Sequence, residues 1–226
     1  MKNLVVLTGA GISAESGIRT FRDADGLWEG HDIMEVASPI GWDKNPELVL
    51  NFYNERRTQL FSVQPNDAHL ALKELEKVFN VHIITQNVDD LHERAGSSSV
   101  LHLHGELMKV RSVKNSSLIY EWKKDLFLGD LGEDQAQLRP HIVWFGEDVP
   151  MISKAIQQVE KADIMLIIGT SLQVYPASGL MHYAKSSIPV YYIDPKAHQT
   201  EGLPQNIVCI SETAVKGMEK IKPLLH

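Results

Sequence analysis

The chain has 226 residues, 43% hydrophobic and 23% charged, which is enough apolar content for one well-buried core and close to an ordinary globular composition. A net charge of -7 argues against broad attraction to nucleic acid or an anionic membrane, and no apolar run reaches membrane-spanning length. The single Cys209 excludes an intrachain disulfide and any multi-cysteine zinc site, and Met1-Lys2-Asn3 leads into a short apolar run rather than a signal-peptide core, so a cytoplasmic protein is expected.

The first predicted element is a strand at Leu4 to Leu7, which runs into Gly9-Ala10-Gly11-Ile12-Ser13-Ala14. A G-x-G-x-x-A pattern after a strand suits either a generic tight turn or a loop that brings backbone N–H groups to a pyrophosphate. A hydride-transfer dinucleotide unit needs an acidic residue ending a second strand about 20 residues on. That interval holds instead Thr20-Phe21-Arg22-Asp23 and Gly26-Leu27-Trp28, with no strand between them. Arg22 can bind phosphate or carboxylate, and Phe21 and Trp28 can cover an aromatic ring; a surface arginine and two core aromatics are the plainer reading.

Asn45-Pro46 predicts an N-cap with proline at the first helical position, and Leu48, Phe52, Tyr53, Arg56 and Leu60 follow at helical spacing. Asp67 is placed as the cap of a second helix through Leu70, Leu72, Leu75 and Val78. A strand at Val81 to Ile84 ends in Thr85-Gln86-Asn87-Val88-Asp89, whose amides and carboxylate suit a carboxamide and ribose hydroxyls, or simply an Asx-rich turn. His102 and His104 alternate in a strand-like Leu101-His102-Leu103-His104; with no third ligand nearby but Glu106 they make a poor zinc signature, and His104 suits a general base. Strands are predicted at Ile142 to Phe145, Ile164 to Ile168, Val190 to Ile193 and Ile207 to Ile210, and helices at Ile152 to Glu160 and Ser178 to Lys185. Gly169-Thr170-Ser171 ends the most apolar strand and can bond phosphate or ribose.

Strands this apolar are buried on both faces, so the fold class is α/β, a parallel sheet covered by helices. Residues 20–62 and 106–140 interrupt the rhythm and read as insertions. One domain over 1–226 is expected, with a core of about 1–20, 63–105 and 141–226 and a smaller module from 21–62 and 106–140. Each of the four runs follows a strand, where an open α/β sheet places its ligand loops.

In this order the runs resemble the sirtuin family of NAD-dependent protein lysine deacylases. The matching text is GAGISAESGIRTFRDADGLW at 9–28, TQNVDDLHERAG at 85–96, LHGELMKVR at 103–111, LRPHIVWFGE at 138–147 and IGTSLQVYPASGL at 168–180. The resemblance implies a Rossmann-like domain with a smaller, usually zinc-bearing module, and NAD as cofactor. It implies that Ala10, Gly11 and Ser13 line the pyrophosphate loop, with Phe21 and Arg22 beside the nicotinamide ribose, and that Gly9 and Trp28 also belong to the cofactor site. Gln86, Asn87 and Asp89 would hold ribose and carboxamide, Asn87 close to the chemistry, and Gly169, Thr170, Ser171 and Ala214 the adenosine side. The implied reaction is attack of an acyl-lysine oxygen on the ribose carbon with loss of nicotinamide, after which His104 as general base helps the acyl group leave on ADP-ribose. Val143, Phe145, Gly146 and Glu147 resemble the strand that pairs with an extended acyl-lysine substrate peptide.

Tyr53 and Arg56, three apart on one helix face, can together bind a carboxylate. This Y-x-x-R resembles class III sirtuins, which remove succinyl, malonyl and glutaryl as well as acetyl groups; a solvated basic face that includes Arg57 is the alternative. Ala37 leaves room for a longer acyl chain. Two features depart from the family. Ser112 stands where the first zinc cysteine would be and no cysteine occurs before Leu138, so no metal is expected there, and Tyr192 falls near the family's adenine-end asparagine. Rival readings are a mono-ADP-ribosyltransferase or NAD glycohydrolase, and a non-catalytic NAD or ADP-ribose sensor.

Overall fold

The computed structural model describes residues 1–19, 27–28, 30–204 and 206–225, the side chains of 27–28 excepted. Strand β1 (Lys2–Thr8) leads through the short helix α1 (Gly11–Ala14) to a two-stranded ribbon, β2 (Leu27–Trp28) with β3 (His31–Asp32). Helices α2 (Ile33–Val36), α3 (Pro39–Lys44), α4 (Pro46–Ser62) and α5 (Asp67–Leu75) follow, then β4 (Phe79–Thr85), α6 (Leu91–Arg94) and β5 (Val100–His102). Strands β6 (Gly105–Ser112), β7 (Ile119–Glu121) and β8 (Leu138–Ile142) precede α7 (Ile152–Glu160), β9 (Ile164–Ile168), β10 (Val190–Ile193), β11 (Ile207–Ile210) and α8 (Ala214–Ile221).

The large sheet has the order β11-β10-β9-β1-β4-β5, and every pairing in it is parallel. Its central strands are apolar because both faces are covered. Leu4, Val6, Ile83, Leu166 and Ile168 pack with Leu72 of α5 and Met218 and Ile221 of α8. The alternate residues Val5, Leu7, Ile84, Met165 and Ile167 pack on the other side with Ala155 and Val159 of α7 and with Leu180. Each such side chain contributes about 1.5–3 kcal/mol when fully buried. The strands predicted at 164–168, 190–193 and 207–210 and the helix at 152–160 have the predicted bounds.

Three local expectations are corrected. The cap of α5 is Asn66, not Asp67: Asn66 is extended and its Oδ1 accepts the Ala68 N–H at 3.0 Å, while His69 completes the capping box. Asp67 lies inside the first turn, where its charge favours the helix dipole. The segment Ser178 to Lys185 is a 3-10 helix at Ala177–Tyr183. The strand expected at Ile142 to Phe145 ends at Ile142 and belongs to a separate antiparallel sheet, β7-β6-β8. Beyond it the chain turns at 144–147, closed by the Glu147 N–H on the Trp144 carbonyl at 3.0 Å and by the Trp144 N–H on the Glu147 carboxylate, while the Phe145 N–H is taken by the Ala37 carbonyl.

Helix α4 carries the small sheet. Arg57 is 1% exposed, not part of a solvated face; its guanidinium donates to Leu107 O (3.1 Å), Lys124 O (3.3 Å) and Asn54 Oδ1 (2.8 Å), and burial draws its pKa down to about 10. Asn54 closes the clamp by exchanging bonds with the Leu126 backbone.

Candidate active site

The loops that follow β1, β4, β5 and β9 converge at the carboxyl edge of the large sheet. They line one cavity of about 610 Å³, within the range of small-molecule sites. Gly9, Ala10, Gly11, Gln86, Asn87, Asp89, His104, Gly169, Thr170, Ser171 and Ala214 are all on its wall, as are Tyr53, Arg56, Ala37, Val143, Phe145, Gly146 and Glu147. Thus residues chosen from separate runs share one space. Phe21 and Arg22 lie outside the described residues, as does the Trp28 side chain.

The glycine loop is built differently from the sequence expectation. The Gly9 and Gly11 N–H groups donate to the carbonyls of Ile168 (3.0 Å) and Gly169 (2.8 Å), so they are not turned toward a phosphate. A Cβ on Gly11 would stand 2.6 Å from the Gly169 Cα. These glycines let two ligand loops lie against each other. Ser13 is fully buried behind the wall rather than on it: it donates to Asp89 Oδ2 (3.0 Å) and accepts from Asn87 Nδ2 (3.2 Å). It anchors two wall residues.

Asp89 also accepts the Leu91 N–H at 3.1 Å, yet burial outweighs these bonds and pushes its pKa up to about 6. Gln86 spends one amide hydrogen on Thr170 Oγ1 at 2.9 Å, joining the loops after β4 and β9. Tyr192 is not on the wall; its hydroxyl donates to the Thr170 carbonyl at 2.7 Å and so braces the loop from inside the sheet. Asp194, Pro195, Lys196, Thr213 and Ala214 line the cavity instead.

The two histidines of the alternating run divide in chemistry. His104 Nδ1 lies 3.0 Å from the Gln86 carbonyl, which can only accept. The Nδ1 proton is therefore fixed and Nε2 carries the lone pair. Burial lowers the His104 pKa, and the Gln86 bond offsets only part of that, so the ring is a neutral base at physiological pH. His102 has an acceptor on each nitrogen, the Asn87 carbonyl at 3.0 Å and Glu93 Oε1 at 2.8 Å. Burial opposes its charge, but the Glu93 carboxylate outweighs burial and raises the pKa. The two imidazoles pin consecutive carbonyls of the Gln86-Asn87 loop. Gly105, at φ +85, begins the return strand immediately after them, and a Cβ there would meet the His141 carbonyl at 2.0 Å.

Tyr53 and Arg56, also on the cavity wall, stand on consecutive turns of α4. Burial pushes the Tyr53 pKa up, keeping the phenol neutral. The Arg56 guanidinium lies 3.7 Å over the Phe52 ring and donates to the Phe52 carbonyl at 2.6 Å. Glu147 turns inward to salt bridges with Arg139 (2.7 Å) and Arg111 (3.3 Å). Sequence reasoning missed Trp144, whose indole Nε1 donates to the Tyr53 hydroxyl at 3.0 Å. Its available signal was only the need of a buried tryptophan N–H for a partner.

A parallel sheet with its cavity at the carboxyl edge and a small antiparallel module define a Rossmann-like protein with a nucleotide-type site. The chain belongs to the Sir2 family, whose profile matches residues 9–176. It is 66% identical over 225 residues to an NAD-dependent protein deacylase of Helicobacter pylori (strain ATCC 700392 / 26695), covering 100% of this chain and 98% of that protein. It is 56% identical over 231 residues to an NAD-dependent protein deacylase of Bacteroides thetaiotaomicron, covering 100% and 98%. Among solved structures, a Sir2 homologue in complex with NAD superposes with a TM-score of 0.85 at 39% identity, covering 99% of this chain and 89% of that one. A complex of Sir2 with p53 peptide and NAD+ superposes at 0.80 with 28% identity, covering 98% and 92%.

Proposed function

We propose that this chain is an NAD-dependent protein lysine deacylase whose acyl pocket accepts succinyl and malonyl groups as well as acetyl. The observation that carries the reading is that one cavity is lined by a neutral His104, the four loops and the Tyr53/Arg56 pair together. The donor set suits NAD: amides and a carboxylate for carboxamide and ribose hydroxyls, small hydroxyl residues for the adenosine side. Bound NAD supplies a ribose carbon from which nicotinamide can depart.

The protein's own residues do the rest. Gln86, Asn87 and Asp89 orient the ribose, and Ser13 holds Asn87 and Asp89 in register. His104 Nε2 takes a ribose hydroxyl proton, its neutral state kept by burial. Arg56 supplies charge and Tyr53 a hydroxyl hydrogen for a terminal acyl carboxylate, while Ala37 limits bulk beside them. The substrate peptide lies extended along Val143, Phe145 and Gly146, with Glu147 fixing that turn from behind. The small module stands without zinc, held by packing and by the bonds of Arg57 and Ser112.

The decisive assay is a panel of acetyl, malonyl, succinyl and glutaryl lysine peptides with NAD, read by mass spectrometry. Deacylated peptide together with O-acyl-ADP-ribose supports the reading, and His104→Ala should abolish both products. Tyr53→Phe and Arg56→Met should lower succinyl turnover about tenfold or more relative to acetyl, about 1.4 kcal/mol or more of selective binding; equal losses remove the carboxylate assignment. A stable ADP-ribosyl adduct on protein without deacylation would favour the transferase alternative, and NAD binding without turnover the sensor.

A further inference from the structure

Resting on the deacylase reading, we infer that His102 is a positioning residue for the reaction: held as an imidazolium against Glu93, it uses its second N–H to fix the Asn87 carbonyl and so sets Asn87 in place on the cavity wall.

A backbone carbonyl and a carboxylate can only accept hydrogen bonds. His102 faces one of each, the Asn87 carbonyl 3.0 Å from Nδ1 and Glu93 Oε1 2.8 Å from Nε2. Both bonds form together only when both ring nitrogens carry hydrogen, which is the charged ring. The proton belongs to the ring and not to Glu93, because imidazole is ordinarily the more basic group, 6.5 against 4.5. The His102 side chain is 8% exposed, so little water is at hand to replace a lost partner.

Asn87 is gripped at three points. Its N–H donates to Thr85 Oγ1 at 3.0 Å, its side-chain amide donates to Ser13 Oγ at 3.2 Å, and its carbonyl accepts from His102. The preceding carbonyl, that of Gln86, accepts from His104. Without the His102 donor the peptide between Asn87 and Val88 is free to turn, and the backbone of a wall residue is no longer fixed.

The grip depends on charge. Burial opposes the imidazolium, while Glu93 on α6, the Asn87 carbonyl and Glu106 on β6 favour it and together raise its pKa. Asp89 after β4 and His92 on α6 also feel this charge, and Lys109 on β6 acts on Glu93. When pH rises past the His102 pKa, one hydrogen remains for two acceptors. A bond to a carboxylate is stronger than one to a neutral carbonyl, so the hydrogen stays with Glu93 and Asn87 is released.

Asparagine carries its amide nitrogen one bond from Cγ, where Nδ1 stands, and glutamine carries its own farther out, where Nε2 stands. His102→Asn therefore keeps a donor for the Asn87 carbonyl, and His102→Gln does not, although glutamine is nearer to histidine in size. With acetyl peptide, kcat/KM for NAD should fall about tenfold or more in His102→Gln and His102→Leu but less than about threefold in His102→Asn, while KM for the peptide stays within about twofold. Glutamine equal to or better than asparagine would overturn the inference and leave His102 as packing. In the wild type, kcat/KM should fall as pH rises through the raised His102 pKa, and this fall should be missing in His102→Asn, whose amide does not titrate. The same alkaline profile in both proteins counts against the proposal.

Two measurements do not need turnover. The imidazole nitrogen resonances of the wild type at about pH 7 should show His102 doubly protonated and His104 with one hydrogen; a neutral His102 refutes the proposal. Calorimetry should find NAD bound more weakly by His102→Gln and His102→Leu than by His102→Asn. If that order holds and the wild type does not deacylate, the deacylase reading fails while the grip on Asn87 stands. If the wild type deacylates and asparagine rescues nothing, only the role of His102 fails.

Discussion

Asp89 is nearly buried on the cavity wall and held by two hydrogen bonds, and its pKa, pushed up to about 6 by burial, means that its charge at neutral pH is costly to the fold. The folded value lies above the unfolded one, 3.8, so the stability associated with the neutral form is complete below about pH 4 and lost as pH rises through 6. The shift corresponds to roughly 3 kcal/mol at pH 7.5. Asp89→Asn should therefore be more stable than wild type by on the order of 2–3 kcal/mol at pH 7.5, and the difference should close toward pH 4. The same variant should lose most of its deacylation, since the wall would lack its carboxylate. Urea midpoints of both proteins across this range check the first statement, and turnover of acyl peptide the second. Asp89 and His104 were legible because each stands in a short run after a strand. Ser13 was legible as a residue but not in its place: its bonds to Asp89 and Asn87 span 76 and 74 positions, a distance that no local pattern encodes.

Strands buried on both faces announce themselves, because every residue from Ile164 to Ile168 must be apolar. The run Ile142 to Phe145 is apolar for another reason. Ile142 and Trp144 fill the space between α4 and the cavity together with Phe52, Tyr53 and Leu60, and a turn satisfies that need as well as a strand. The small sheet was the least legible element, since its short apolar cluster of Leu50, Val110, Leu126 and Leu138 is supplemented by bonds from polar side chains. Ser112 Oγ donates to Asp134 Oδ2 at 2.6 Å and accepts the N–H groups of Lys114 (3.0 Å) and Asn115 (3.2 Å). One hydroxyl thus ties the turn after β6 to the loop before β8. Ser112→Ala leaves two N–H groups and a carboxylate without it, at about 1–3 kcal/mol, so the melting temperature should fall by roughly 2–10 °C. If the small module stands without zinc, prolonged treatment with a strong chelator should leave that temperature unchanged. A chelator-induced fall would locate a structural metal there.

At the scale of the whole molecule, the region joining β1 to α5 and α6 depends on two histidines staying neutral. His69 and His92 are fully buried and meet edge to face with ring centroids 4.9 Å apart. His92 Nε2 bonds to Thr8 Oγ1 at the end of β1, and His69 Nδ1 to Asn66 at the cap of α5. His69 Nε2 and His92 Nδ1 have no partner among the described residues, so a doubly protonated form of either ring would keep one buried N–H unpaired. Burial accordingly lowers the His69 pKa to about 4 and that of His92 well below its ordinary value. For groups depressed in the folded state, stability is complete above pH 6.5 and lost as pH falls toward the folded value. His69 alone should cost about 2 kcal/mol at pH 5 relative to pH 7.5, and His92 adds to it. This trend opposes that of Asp89, which favours the fold on acidification, and the histidines should win because two of them titrate. Their position beneath the loop that carries Asp89 ties the site to this balance. Nucleotide affinity should fall in the same window as stability, and His69→Gln should flatten both curves. Denaturant midpoints and NAD calorimetry at pH 5 and 7.5 check this; equal wild-type midpoints at the two values would refute it.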